Sequence, residues 1–375
     1  MDELVLDLET TFHNKGSVFD ERNFPVCYSI ATKDDASAIK WSDHAASDIQ
    51  KLINASDLLI VCAGKFDVHW LRKMNISLGS INIWDVQIAE FILSYQKTRF
   101  PSLDGICSRL GLPVKPDVVR TEYWEKGINT DEIPWPILSE YSTHDASVTY
   151  QCYKRQWAEM NAKQRMLSML QSLDMCVLQE MEANGLLYDE QLCITRSKEV
   201  DDKISEIKGN LASLYPNVPI NFGSVDDLSA FLYGGIIYED TKEHIGFYKT
   251  GEKAGQPKYK NVVIEHRLPR LFKPLPGSEL AKDNLFSTSE STLKQLRGNK
   301  KIIQWLLELA KLEKRNGTYY KGLVKLRKTK NWPENILHGK FNQVVAATGR
   351  LSSSEPNLQN FDSELQDIFI SRFND

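Results

Sequence analysis

The stretch from Leu4 to Thr10, Leu-Val-Leu-Asp-Leu-Glu-Thr, constrains this chain more than any other. Its Leu and Val content predicts a short buried strand, yet two acids sit inside it, where a carboxylate is costly unless it is paired or binds a metal ion. Side chains alternate along a strand, so Asp7 and Glu9 project from one face and can offer two oxygen ligands to a hard divalent cation. A strand end whose acids simply face water fits the segment equally well by itself. The reading therefore turns on whether further carboxylates join these two.

The following residues predict an α/β unit. Cys27 to Thr32 and Ala36 to Trp41 read as strands, Asp43 to Asn54 as a polar helix and Leu58 to Cys62 as a second buried strand. That strand runs through Gly64-Lys65-Phe66 into a helix opened by Asp67, which places Asp67 at a strand-to-helix junction, where α/β sheets gather ligands. A helix cap explains Asp67 locally as well. Asp85 is expected to cap a helix over Val86 to Leu93, Pro101 to Leu112 reads as a further helix, and Tyr123 to Pro136 as a loop. A long amphipathic helix then covers Ile137 to Trp157, and on it Tyr141 and Asp145, at i and i+4, share a face.

Asp7 and Glu9 in Asp-x-Glu-Thr, Asp67 in Phe-Asp after a buried strand, and Tyr141 and Asp145 in Tyr-x-x-x-Asp thus occur in that order within one unit. Over residues 1–157 this order resembles the 3′→5′ proofreading exonuclease domain of family A DNA polymerases, the type with four carboxylates and a tyrosine on an RNase H-like sheet. The resemblance implies two Mg²⁺ or Mn²⁺ ions about 3.5–4 Å apart, held by Asp7, Glu9, Asp67 and Asp145, with Glu9 and Tyr141 orienting the attacking water. Thr10 is expected to contact the DNA. One position departs from the pattern: where the family usually carries Asn, four residues before the second-motif Asp, this chain has Ala63.

The resemblance continues through residues 158–340 as a mainly α thumb. Met181-Glu182-Ala183-Asn184-Gly185 is similar to the passage from exonuclease to thumb, with Gly185 suited to a left-handed helix stop. Ile194 to Leu214 and Asp226 to Leu232 read as helices. Residues 234–286, rich in Gly, Pro, Lys and Tyr, read as an insertion that contains a β-hairpin, His244 to Lys249 and Tyr259 to Arg267, around a loop from Thr250 to Lys258. Its role is left open between structural elaboration and a grip on duplex DNA or a processivity factor. Lys300 to Leu326 predicts one strong helix, with Lys314 and Thr318 beside the primer-template. Residues 341–375 resemble the palm entrance, most specifically in Thr348-Gly349-Arg350-Leu351-Ser352-Ser353-Ser354-Glu355-Pro356-Asn357-Leu358-Gln359-Asn360. Arg350, Ser352, Ser353, Asn357 and Gln359 are the DNA contacts this motif implies. The polymerase metal motif, the fingers and their nucleotide-binding residues do not follow, so the expectation is either a split polymerase, which polymerises only with a second polypeptide that carries palm and fingers, or a fragment of a longer one.

The charge distribution fits either a phosphate-binding surface or a solvated helix face. Residues 1–158 hold 16 Lys and Arg against 22 Asp and Glu, and residues 159–375 hold 30 against 28, so −6 and +2 give the net −4. Lys294 to Lys330 concentrates twelve basic residues against Glu308 and Glu313. No apolar run reaches membrane-spanning length, the first residues lack a signal-peptide pattern, and the six scattered cysteines suggest neither a zinc site nor a disulfide framework. The expected setting is cytoplasmic, and the expected partners are a single-stranded DNA 3′ end and a primer-template duplex. Two other readings stay open: a free-standing 3′→5′ exonuclease, and a non-catalytic DNA-binding or processivity module.

Overall fold

The computed structural model describes residues 2–114, 118–361 and 363–372. Two compact units result, residues 1–190 with 323–375, and residues 191–322.

The first unit is built on a five-stranded sheet of β1 (Glu3–Thr10), β2 (Pro25–Ala31), β3 (Ala36–Lys40), β4 (Leu58–Val61) and β5 (Asn82–Asp85), in the order β3-β2-β1-β4-β5. β1 runs antiparallel to β2 and parallel to β4, and β4 runs parallel to β5. All four residues of β4 are buried, the continuous apolar run that a strand covered on both faces requires. β5 has no counterpart in the sequence reading: four residues, Asn-Ile-Trp-Asp, are too few to show a period. Among the described residues, the helices that follow and separate these strands are α1 (Ala45–Asn54), α2 (Lys65–Lys73), α3 (Val86–Leu93), α4 (Leu103–Leu110), α5 (Val118–Glu122), α6 (Trp135–Glu159) and α7 (Ala162–Asn184).

α6 and α7 are separate helices because Asn161 caps α7, its Oδ1 accepting from the backbone N–H groups of Lys163 and Gln164, at 3.0 Å each. α7 packs on the sheet of this unit, although the sequence reading set it beyond residue 157. Ser168 and Ser172 are fully buried along it, and Ser172 Oγ accepts from the Asp85 backbone N–H at 3.0 Å. Small side chains on that face allow the close approach. Beyond α7, Leu186–Leu187 pairs with Ile336–Leu337, and Lys340–Asn342 with Ser352–Ser354. Gly185 takes φ +57° but ψ −169°, so the chain extends rather than closing a left-handed stop. A Cβ there would stand 2.6 Å from Ile336 Cγ2, so the close approach of the 336–337 strand is what requires glycine.

In the second unit, helices Glu190–Ala212, Val225–Tyr233 and Lys300–Arg315 gather around Leu211, Phe231, Leu232, Leu306 and Leu309. The expected single helix over Lys300 to Leu326 is interrupted by a π-helical turn at Asn316–Tyr320, after which Lys321–Lys330 resumes as helix. Asn316 is buried and donates to Asp201 Oδ1 at 2.9 Å, an internal hydrogen bond that no helical period announces. The hairpin is longer than expected, Gly235–Phe247 with Pro257–Leu268, and mostly exposed on both faces, so its strands lack the alternation that would have marked their length.

Candidate functional site

Around β1 the sequence produces the anticipated division of faces. Leu4, Leu6 and Leu8 are buried, while Asp7 and Glu9 are half-buried on the opposite face. Asp67, 2 % exposed, stands in the first turn of α2. Its Oδ1 accepts from the backbone N–H of Leu8 at 3.0 Å, which ties α2 directly to β1 between the two acids of the first motif. Burial, and then the negative charge of Asp7, push the Asp67 carboxyl well above the ordinary range for an aspartic acid, although the Leu8 N–H opposes them.

Two cysteines register the same crowding. The Cys62 thiol is driven up first by burial and then by the charges of Asp85, Asp7, Asp67 and Asp145. Cys27 is pushed up to about 12 by burial and by Glu9, with Asp7 adding to the effect. Asp7, Glu9, Asp67 and Asp145 are therefore brought to one region from β1, α2 and α6. Tyr141, also on α6, meets the edge of Trp124 at 6.0 Å, and Trp124 stacks on exposed Phe12 at 5.0 Å. As placed, no three His, Cys, Asp or Glu side chains among the described residues form a group able to hold a metal ion. The donor chemistry nevertheless suits a hard divalent cation, since the acids supply oxygen only and the crowded negative charge that penalises ionised Asp67 is what a cation neutralises.

Asp85 has the structural role expected of it and one more. Its Oδ1 accepts from Gln87 N at 2.7 Å and caps α3, and Oδ2 accepts from Gly64 N at 2.8 Å, which holds the turn that leads into α2. Within that turn Ala63 adopts φ +53°, a left-handed conformation that Asn tolerates better than Ala. A Cβ at Gly64 would lie 2.2 Å from Val61 Cγ2, so only glycine fits there.

Beside the turn lies a cavity of about 360 Å³ whose walls include Lys15, Ala63, Phe66, Trp332, Lys340 and Glu355. Five residues with positive φ, Asn14, Lys15, Ala63, Phe100 and Glu355, line it, and such strain concentrates at functional sites. Sequence reasoning missed this cavity, because its walls come from segments more than 250 residues apart. At its base Glu182 is 4 % exposed and accepts from Lys65 Nζ at 2.6 Å, from His69 Nε2 at 2.9 Å and from the Phe341 backbone N–H at 2.7 Å. Burial raises the Glu182 carboxyl, but its bonds to His69 and Lys65 outweigh that and the net direction is down.

The expected DNA contacts are scattered. Thr10 is buried and its hydroxyl donates to Thr11 O at 3.0 Å. Ser353 is buried and its Oγ accepts from Leu358 N at 3.1 Å, Asn357 caps a short 3₁₀ turn, and Gln359 Nε2 donates to Leu351 O at 3.4 Å. These side chains shape the loop itself. Ser352 is half-buried opposite Asn342 in the strand pair, and Arg350 is exposed. Lys314 and Thr318 are exposed in the second unit, Thr318 on the π-helical turn. Part of the basic run is neutralised locally: Lys294 pairs with Glu290, Lys321 with Asp201, Arg327 with Glu190 and Lys330 with Glu355.

Comparison with known proteins follows the same lines. Residues 264–372 match the model for DNA polymerase family A. The chain is related to the family A DNA polymerases. It is 25 % identical over 337 residues to the DNA polymerase I of Pseudomonas aeruginosa, covering 87 % of this chain and 30 % of that protein. It is likewise 25 % identical over 355 residues to the DNA polymerase of Bacillus phage SP01, covering 87 % and 38 %. The chain thus spans about a third of the length of these relatives. Its fold is shared with the solved structure of the POL domain of Pol1 from M. smegmatis in complex with DNA primer-template and dNTP, with a TM-score of 0.67 and 18 % identity over 98 % of this chain and 55 % of that one.

Proposed function

We propose that this family A polymerase relative hydrolyses DNA from the 3′ end through an RNase H-like domain over residues 1–157. In this reading residues 158–340 act as a thumb that grips primer-template DNA, and residues 341–375 begin a palm. The observation that carries the proposal is the convergence of Asp7, Asp67 and Asp145 around Cys62, with Asp67 pinned to β1 by the Leu8 N–H. Asp7, Glu9, Asp67 and Asp145 would hold Mg²⁺ or Mn²⁺, and the ions would supply stabilisation of charge on the attacking and leaving oxygens of the phosphodiester. The chain's own residues do the rest. Glu9 and Tyr141 orient water, Phe12 on Trp124 offers an apolar platform at the frayed end, and the cavity beside Ala63 gives the unpaired strand aromatic walls and lysines. DNA replication is the process such an activity serves. A processivity factor belongs to the same proposal.

The test is digestion of a 3′-labelled single-stranded DNA with Mg²⁺, beside Asp7→Ala and a chelator control. Release of terminal nucleotides by the intact protein alone supports the reading. Tight DNA binding without digestion would overturn hydrolysis in favour of a non-catalytic DNA-binding module.

A further inference from the structure

The hairpin of the second unit is an unusual element for its surroundings. Only its root is buried, at Ile237 and Leu268, and from there a twelve-residue strand carries the tip roughly 40 Å at ~3.4 Å per residue. Charge is segregated along it. Residues 235–247 and 261–268 hold four acids (Glu239, Asp240, Glu243, Glu265) against Lys242 and Arg267, a balance of −2, while residues 248–260 hold Lys249, Lys253, Lys258 and Lys260 against Glu252, a balance of +3. All four tip lysines are exposed, and among the described residues none of them lies within ion-pair distance of a carboxylate. Lys321 and Lys330, paired with Asp201 and Glu355, make a contrast.

Aromatic rings are interleaved with these amines. His244 meets the edges of Phe247 at 5.1 Å and Tyr259 at 5.5 Å, and Lys258 lies 5.8 Å from the centre of the Tyr248 ring. Phe247 is 59 % and Tyr259 53 % exposed, so more than half of each ring faces solvent. The loop beneath them is held by its own backbone, with Gly255 N donating to Tyr248 O at 2.8 Å and Tyr248 N to Gln256 O at 3.0 Å. The cluster is therefore presented on a folded platform. Exposed rings among free ammonium groups are what unstacked bases and their phosphates require, whereas a duplex hides its base faces and engages the amines alone.

We propose that the hairpin tip binds single-stranded nucleic acid, stacking bases on Phe247 and Tyr259 and meeting phosphates with Lys249, Lys253, Lys258 and Lys260. This site is separate from the carboxylates and does not depend on hydrolysis there. It is tested on the full chain in EDTA, where nothing is cleaved, with a fluorescein-labelled oligo-dT and a labelled duplex. Phe247→Ala with Tyr259→Ala is expected to weaken oligo-dT binding about tenfold or more and to leave duplex binding unchanged. Replacing the four lysines by Ala is expected to flatten the slope of log K against log salt for oligo-dT by about 2–3. Phe247→Trp, which keeps a ring at the tip, should retain binding and show fluorescence quenching on addition of unlabelled oligo-dT. Equal losses on single strand and duplex for the aromatic variant, or no quenching of the introduced tryptophan, would overturn the assignment. Failure of the digestion assay with normal oligo-dT binding would leave it standing.

Discussion

Lowering the pH from 7.5 to 5 should destabilise the first unit through His338 in particular. His338 stacks on Phe19 at 3.8 Å, meets the edge of Trp332, and donates from Nδ1 to the Glu182 carbonyl at 2.8 Å. That carbonyl fixes the neutral tautomer, so an added proton must go to Nε2. Burial is the main force on the group and lowers it from the ordinary 6.5 to about 4, with the charges of His69 and Arg372 assisting and the Glu182 carbonyl opposing. A histidine depressed in this way binds its proton more readily when unfolded. Its contribution is fully present above pH 6.5 and is lost as the pH falls from there toward 4. With those two values the loss at pH 5 is RT ln[(1 + 10^1.5)/(1 + 10^−1)], about 2 kcal/mol, rising to about 3 kcal/mol at pH 4. For a unit of this size the loss at pH 5 corresponds to roughly 4–8 °C in melting temperature. The assay is unfolding of the wild type and His338→Gln, which keeps a donor for the carbonyl and does not titrate, at both pH values. The wild type should lose about 2 kcal/mol more than the variant. Equal losses would refute the reasoning, since every other titrating group is common to both proteins.

Asp67→Asn keeps an acceptor for the Leu8 N–H while it removes a buried carboxyl whose ionisation the fold penalises. It should raise stability at pH 7 by about 1–3 kcal/mol in thermal unfolding and abolish digestion of single-stranded DNA. Because the Asp67 carboxyl is raised, that stabilising effect should shrink as the pH is lowered. Glu182→Ala leaves Lys65, His69 and the Phe341 N–H without their common acceptor, and urea unfolding should register a loss of about 3–5 kcal/mol. Ala63→Asn places a residue tolerant of left-handed geometry at φ +53° and should gain about 0.5–1 kcal/mol in the same measurement.

Much of this protein is determined locally and could be read from the chain. The alternation Leu6, Asp7, Leu8, Glu9 settles which face of β1 is dry, and β4 is apolar throughout because both its faces are covered. Asp85 and Asn161 terminate helices through bonds to residues two or three positions away. Such features depend on neighbours in sequence, and periodicity or capping chemistry reports them.

Other features exist only once distant segments meet. β5 is too short to show a pattern and becomes a strand by pairing with β4. The π-helical turn at Asn316–Tyr320 carries a half-buried bond to Asp201, 115 residues away, and α7 joins the first unit because its buried serines let it sit close to β5. The same holds for ionisation. An aspartate in a strand-to-helix turn has an ordinary carboxyl by composition. Asp67 is driven upward only because folding removes water from it and sets Asp7 beside it, and no reading of spacing measures a dielectric. The sequence by itself determined which acids share a strand or helix face and which residues cap helices; the tertiary structure decided which of them are crowded, which are shielded from water, and which expected DNA contacts are already committed to holding their own loop.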